Sequence, residues 1–278
     1  MTQLNLSTFN VLAPCWSNPS EYPNNSLSFL DKVKRRALII QTIQSLAKSN
    51  DIIALQETQE DEFGYFYDAM TKAGFDGFHA NHRDDYWSRY ITINPPFVSN
   101  GVALFWNKKT VTLLNINASN LSDDGNHCIF TKLKKGNKQF RLICCHLDSD
   151  TGGRRSKESK AMMDLLTPID GMTDIIIGDL NFNIDNGPYN RIFYSNNFID
   201  VLKSLGKEEM THPFDFTYMG NSNYGVIDHI LVRNAVPIDG KVLTFNVWND
   251  GITSEERINL LLQRDGSDHF VVSGSITL

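Results

Sequence analysis

Polar residues able to do chemistry recur where the apolar runs of this chain end. In Ile175-Ile176-Ile177-Gly178-Asp179-Leu180-Asn181 a carboxylate and a carboxamide stand two residues apart at the close of an all-apolar run. In an extended turn the two side chains point the same way. Asp179 is then a candidate to take a proton from water, and Asn181 to donate to a phosphate oxygen. A plain Asx-type turn after a strand accounts for the same pair. Glu57 follows Asp51-Ile52-Ile53-Ala54-Leu55-Gln56, and a carboxylate at the end of a buried strand is costly unless something compensates it. Mg²⁺ would do so, because it takes one or two carboxylates with waters and phosphate oxygens; the alternative is a surface Glu in a loop. His146 closes Leu142-Ile143-Cys144-Cys145, placed either to donate to a pentavalent phosphate or simply capped at the surface. Asp228 and His269 read as a pair in which the carboxylate fixes the imidazole tautomer and raises its basicity. Asp268, beside His269, is expected to face the opposite side and reach a metal from there.

The elements that position these groups follow from periodicity. Leu4 to Val11 reads as an opening strand that ends on Thr8-Phe9-Asn10. Val33, Ala37, Ile40, Ile43 and Ala47 recur at three- and four-residue steps and predict a helix over 31–49. A short buried strand covers 51–55. Phe63, Phe66, Tyr67 and Met70 mark a second helix, with Gly74 as its C-cap. Strands are predicted over 102–106 and 110–116. A hairpin joins 128–133 to 140–146 through Lys134-Lys135-Gly136-Asn137-Lys138. A helix over 156–166, strands over 174–177 and 225–233, a helix over about 254–263 and a strand over 269–277 complete the chain. Strands interspersed with helices, without regular βαβ alternation, predict an α/β fold of two packed mixed sheets flanked by helices. No repeat, low-complexity stretch or Pro/Gly/Ser-rich linker divides it, so one domain over 1–278 is expected.

Composition is that of a folded globular protein, with 41% hydrophobic and 21% charged residues. The formal charge of -6 argues against a nonspecific grip on a long polyanion, which asks for a basic excess. It suits a site whose carboxylates hold a cation. Cys15, Cys128, Cys144 and Cys145 show no C-x-x-C spacing, and the adjacent pair on a strand points to opposite faces. A disulfide framework or cysteine zinc site is therefore not expected, and a reducing compartment fits. The opening MTQLNLSTFN has neither a basic segment nor a long apolar one. No signal peptide and no membrane span are expected, and the cytoplasm, with access to the nucleus, is the expected location.

Taken in order, Thr8-Phe9-Asn10-Val11-Leu12-Ala13, Leu55-Gln56-Glu57-Thr58, Asn100-Gly101-Val102-Ala103-Leu104-Phe105, His146-Leu147-Asp148, Gly178-Asp179-Leu180-Asn181, Ile227-Asp228-His229-Ile230 and Ser267-Asp268-His269-Phe270 resemble the endonuclease/exonuclease/phosphatase superfamily. The resemblance spans nearly the whole chain. It implies a four-layer α/β sandwich and a metal-dependent phosphoesterase. By motif it makes Glu57 the principal Mg²⁺ ligand (Mn²⁺ as a substitute), helped by Asn10 and Asp268. It makes Asp179 the activator of water, Asn181 and His146 phosphate ligands, and Asp228 the residue that orients His269. Ala73 to Phe78, Phe216-Thr217-Tyr218 and Ser267 to Phe270 are similar to the catalytic domains of deadenylases, nocturnin and angel-type enzymes. The chain departs from that pattern at Gly266, where Pro is favoured, at Asn100, where an acid is usual, and at His229, where Tyr is common.

The expected activity is hydrolysis of RNA from a single-stranded 3' end by in-line attack of water, with release of nucleoside 5'-monophosphates. The alternatives keep the site and change the substrate: an endonuclease on DNA, or an enzyme for a nucleotide, a 2',5'-oligonucleotide or a phospholipid headgroup. Arg154 and Arg155 are candidates to grip a phosphate bidentately, or a solvated pair at a helix start. Phe214, Tyr218 and Tyr224 are candidates to stack on a base, or core residues.

Overall fold

The computed structural model describes residues 2–19, 22, 24–82, 97–122, 126–149, 151–184, 188–207, 211–212, 225–244 and 253–278. Twelve strands form two six-stranded mixed sheets, as the sequence predicts. The first sheet runs, from edge to edge, β11 (Val236–Val242), β12 (Val272–Thr277), β1 (Gln3–Asn10), β2 (Ile52–Gln59), β4 (Asn100–Asn107) and β3 (Phe75–Asn81). The second runs β5 (Thr112–Asn120), β6 (His127–Lys135), β7 (Lys138–His146), β8 (Thr173–Asp179), β10 (Asp228–Arg233) and β9 (Ile199–Asp200).

Each sheet holds one parallel pair at its centre: β1 with β2, joined through α1 (Lys32–Ala47), and β7 with β8, joined through α3 (Gly152–Leu165). Every other pairing is antiparallel. Among the described residues α2 (Glu60–Lys72), α4 (Pro188–Ser195), α5 (Val201–Ser204) and α6 (Ser254–Arg264) are the other α-helices. The ends of a parallel pair lie side by side, so each sheet offers neighbouring residues at one place: Asn10 opposite Gln56, and His146 opposite Asp179.

Alternation along the central strands explains the apolar runs. Cys144, Ile175 and Ile177 join Leu6, Ile52, Ala54 and Leu104 in a core between the sheets. Their neighbours Cys145 and Ile176 turn outward to Met162, Leu166, Phe193 and Phe198. On the other side Phe9, Ile53 and Leu55 meet Ile39 and Ile43 of α1 and Phe66 and Met70 of α2. Strands covered on both faces must be apolar at nearly every position, which is why period-two alternation is absent from β2 and β8.

Several boundaries differ from the sequence reading. α3 starts four residues before the predicted 156, because the Thr151 side chain accepts from Arg154 N and caps it there. β12 begins at Val272 rather than 269, because residues 266–269 leave the sheet in a bend. β10 begins at Asp228, after Gly225 at φ +142°. The edge strands β3, β9 and β11 and the short helices α4 and α5 have no counterpart among the predicted elements. β3 carries Asp76, Gly77 and His79 among its apolar residues, and β11 contains Pro237, where its register with β12 shifts.

Candidate active site

Asn10, at the end of β1, lies between two carboxylates from different elements. Its Nδ2 donates to Glu57 Oε1 at 2.9 Å and to Asp179 Oδ2 at 3.0 Å, while its Oδ1 accepts from Leu12 N. Asn10 thus faces both acids with a donor and orients them, while its oxygen is engaged by the backbone.

Glu57 is turned into this position by an irregularity in β2. The pairing with β4 shifts between Leu55 and Thr58, and Glu57 adopts φ +56°, a conformation costly for a non-glycine residue and concentrated at functional sites. Glu57 Oε2 accepts from Ala13 N at 2.9 Å. Its side chain is partly open to solvent, unlike its neighbours in β2.

Asp179 is 1% exposed. Its Oδ1 accepts from Asn181 N at 2.8 Å, the Asx-type turn that the sequence allows. The turn and the chemical role are compatible, because the second oxygen remains directed at the site. Oδ2 lies 3.8 Å from His146 Nε2 and 3.8 Å from His269 Nε2. The expectation that Asp179 and Asn181 sit in an extended turn is corrected by Asn181 at φ +54°. That conformation aims the Asn181 amide at Leu147 O, at 2.8 Å, and to 3.0 Å from His146 Nε2.

Asp228 Oδ2 meets His269 Nδ1 at 2.9 Å, the predicted pair. Burial alone would push His269 down, but Asp228, Asp179 and Asp268 outweigh it and raise the imidazole to about 10. Burial lifts Asp228 above its ordinary value, and the charge and hydrogen bond of His269 oppose this. Asp268 is held well below the usual carboxylate range: burial works against ionisation, while His212, His269 and Tyr22 favour it more strongly.

The prediction that Asp268 and His269 face opposite sides fails, because both lie in the bend before β12 rather than on a strand. One donor atom each from His212, Asp268 and His269 lies within 4.8 Å of the others.

Three contributors escape the sequence reading. Tyr22 OH donates to Asp268 Oδ2 at 2.9 Å from a loop rich in Asn, Pro and Ser. His212 Nε2 lies 3.8 Å from Asp268 Oδ2, with its ring 4.4 Å from that of His269. Arg35, 1% exposed on α1, donates from Nε to Gly266 O at 2.7 Å and from Nη2 to Val11 O at 2.9 Å and to Leu12 O. It ties the segment after Asn10 to the one before Asp268. The Arg35-Arg36 pair on a predicted helix reads as a solvated face, and no periodicity distinguishes the member that is buried.

Arg154 and Arg155 sit in the first turn of α3. Arg154 Nη1 lies 3.3 Å from Asp148 Oδ2, and Arg155 Nη1 donates to the carbonyls of Asp148 and Ser149 at 2.8 and 2.9 Å. Both guanidiniums therefore brace the segment after His146. Phe214, Tyr218 and Tyr224 lie outside the described residues.

The donor set fits a hard divalent cation. Asp268 Oδ1 is buried without a hydrogen-bond partner, and each Glu57 oxygen accepts a single N–H, which leaves lone pairs on both residues.

A family model described as Endonuclease/Exonuclease/phosphatase family matches residues 7–269. Among solved structures, the endonuclease/exonuclease/phosphatase from Bacteroides vulgatus is similar over 100% of both chains, at TM-score 0.71 and 16% identity. ANGEL2, a 2',3'-cyclic phosphatase, is similar at TM-score 0.74 and 12% identity, over 99% of this chain and 95% of that one. The human Nocturnin catalytic domain with bound sulfate is similar at TM-score 0.68 and 18% identity, over 99% and 93%. At these identities the likeness is one of fold. No curated protein sequence matches.

Proposed function

We propose, because the chain belongs to the endonuclease/exonuclease/phosphatase family of hydrolases, that the cluster around Asp179 is a phosphodiesterase centre acting on the 3' end of single-stranded RNA. The observation that carries the reading is one buried oxygen. Asp179 Oδ2 has Asn10 Nδ2 at 3.0 Å and the Nε2 atoms of His146 and His269 each at 3.8 Å. A carboxylate ringed by donors from both sheets can accept a proton from water while the same donors face the phosphate that the water attacks.

Glu57 and Asp268 would hold the cation, Mg²⁺ or Mn²⁺ in its place, with Asn10 setting the orientation of Glu57. When bound, that ion supplies charge neutralisation to the phosphate oxygens. The residues do the rest. Asp179 Oδ2 takes a proton from the attacking water as the water oxygen bonds to phosphorus and the opposite P–O3' bond breaks, the leaving 3' oxygen taking its proton from solvent. His269, charged near neutrality, donates Nε2–H to a non-bridging oxygen as negative charge builds up on it. Asp228 holds that ring from behind, and Asn181 and His146 bind the phosphate. Arg154 and Arg155 are proposed as further phosphate contacts, with Phe214, Tyr218 and Tyr224 as stacking partners for bases.

The net charge of -6 favours a second reading in which the substrate is short: a nucleotide, a 2',5'-linked oligonucleotide or a phospholipid headgroup rather than a long duplex. The test is a time course on 5'-labelled RNA ending in oligo(A), with Mg²⁺ and an Asp179→Asn control. A ladder that shortens from the 3' end, absent in the control, supports the exonuclease. Intact RNA beside phosphate release from a small nucleotide replaces it with the second reading.

A further inference from the structure

We propose that His212, Asp268 and His269 form a second cation site, suited to an imidazole-seeking ion such as Zn²⁺, and that its occupation inhibits the Mg²⁺-supported reaction. The inhibition rests on the function proposed above; the site itself does not.

Two imidazoles and a carboxylate, all buried, bring one donor atom each within 4.8 Å of one another. Zinc bonds of about 2.0–2.1 Å in a tetrahedron place donors roughly 3.4 Å apart. His212 Nε2 and Asp268 Oδ2 are 3.8 Å apart, so closing that pair on an ion asks for a few tenths of an ångström, and the third donor, on His269, starts within 4.8 Å of both. Three protein ligands leave a fourth position for water, as in open zinc sites.

The surroundings are those of a metal centre. Asp228 Oδ2 holds His269 Nδ1 at 2.9 Å, the carboxylate–histidine arrangement that leaves Nε2 as the donor. Tyr22 OH steadies Asp268 by donating to Oδ2 at 2.9 Å, while Asp268 Oδ1 is buried with no hydrogen-bond partner. The pocket therefore has two chemically distinct halves. Glu57 and Asp179 present oxygen on one side, which suits Mg²⁺. His212 and His269 add nitrogen on the other, which favours Zn²⁺, Co²⁺ or Cu²⁺ along the ordinary affinity series. An ion in the nitrogen-rich half would engage His269 Nε2 and Asp268 together, withdrawing the first from the phosphate and the second from the Mg²⁺. Asp179, Asp228 and His269 form a competing cluster that lacks His212, so variants at His212 tell the two apart.

Metal-free protein titrated with Co²⁺ provides the test, read as visible absorbance, since four- or five-coordinate Co²⁺ absorbs far more strongly than the hexaaquo ion. Wild type should develop the band with one equivalent. His212→Ala and His212→Phe, the latter keeping a ring against His269, should lose it or bind at least about tenfold more weakly. Circular dichroism checks that each variant is folded. No band in wild type, or an unchanged band in a folded variant, overturns the proposal. In a parallel assay with bis(p-nitrophenyl) phosphate and Mg²⁺, Zn²⁺ should inhibit wild type at concentrations about tenfold below those needed for His212→Phe. Equal sensitivity overturns the inhibition. Absence of hydrolysis under all conditions counts against the proposed function, and the Co²⁺ spectra still decide the site.

Discussion

Asn10 Nδ2 donates to Asp179 Oδ2 across 3.0 Å, joining the last residue of β1 in one sheet to the last residue of β8 in the other, 169 positions away. Each belongs to the parallel pair at the centre of its sheet, and the same amide nitrogen also reaches Glu57. The proposed base and the proposed metal ligand are thus set against each other by one side chain whose own oxygen is fixed by Leu12 N. Short-range order of this kind is what a preorganised centre needs.

Replacing Asp179 with Asn keeps the shape of the side chain and removes its basicity. The rate of the chemical step should fall by about 10²–10⁴, measured as single-turnover hydrolysis at saturating Mg²⁺. A loss below about tenfold would remove Asp179 from the role of base.

Glu57→Gln retains an acceptor for Ala13 N but takes away the charge. The Mg²⁺ concentration for half-maximal rate should rise at least about tenfold, and a chelator should abolish wild-type activity reversibly. An unchanged metal titration curve would exclude Glu57 as a ligand.

Gly178 of β8 stands opposite Cys145 of β7. A Cβ there would lie 1.9 Å from Cys145 O and 2.9 Å from Cys145 C, at φ +148°. Backbone cannot yield as a flexible side chain can, so Gly178→Ala should cost about 2–4 kcal/mol in urea unfolding. It should also displace Asp179 and lower activity in the fraction that folds. Wild-type stability would contradict the close approach.

His229 carries a pH dependence of stability. Burial pushes its imidazole down, but the hydrogen bond and charge of Asp200, 2.8 Å away, more than reverse this and raise it above the ordinary value. A raised folded-state value gives stability that is complete below about pH 6.5 and is lost as pH rises through the folded value. Wild type should therefore lose stability as pH rises above about 6.5, and Asp200→Asn should lose less over the same rise. Parallel pH profiles for the two proteins in urea titrations would refute the pairing.

The legible part of this site consists of polar residues directly abutting apolar strands. Asp179, Asn181, His146 and Asn10 announce themselves because β8, β7 and β1 are buried on both faces, and a polar side chain at their ends stands out from its neighbours. Glu57 is visible as a residue but not as a direction, since the shift in register at 55–58 and φ +56° depend on how β2 meets β4. Tyr22, His212 and Arg35 leave no local trace. Each lies in a polar stretch of ordinary composition, and acquires its role only from what folds against it.

Sequence alone determined the kind of strands, the two-sheet architecture and the order in which the chemical groups appear, because burial on both faces demands apolar runs and chain reversals demand polar ends. Tertiary structure decided which groups meet. It turned Glu57 inward through a bulge, packed His212 against His269 and Asp268, and buried Arg35 between the segments after Asn10 and before Asp268. Such contacts join residues far apart in the chain, 231 positions in the case of Arg35 and Gly266. Their geometry follows from the packing of one sheet on the other, which no local pattern encodes.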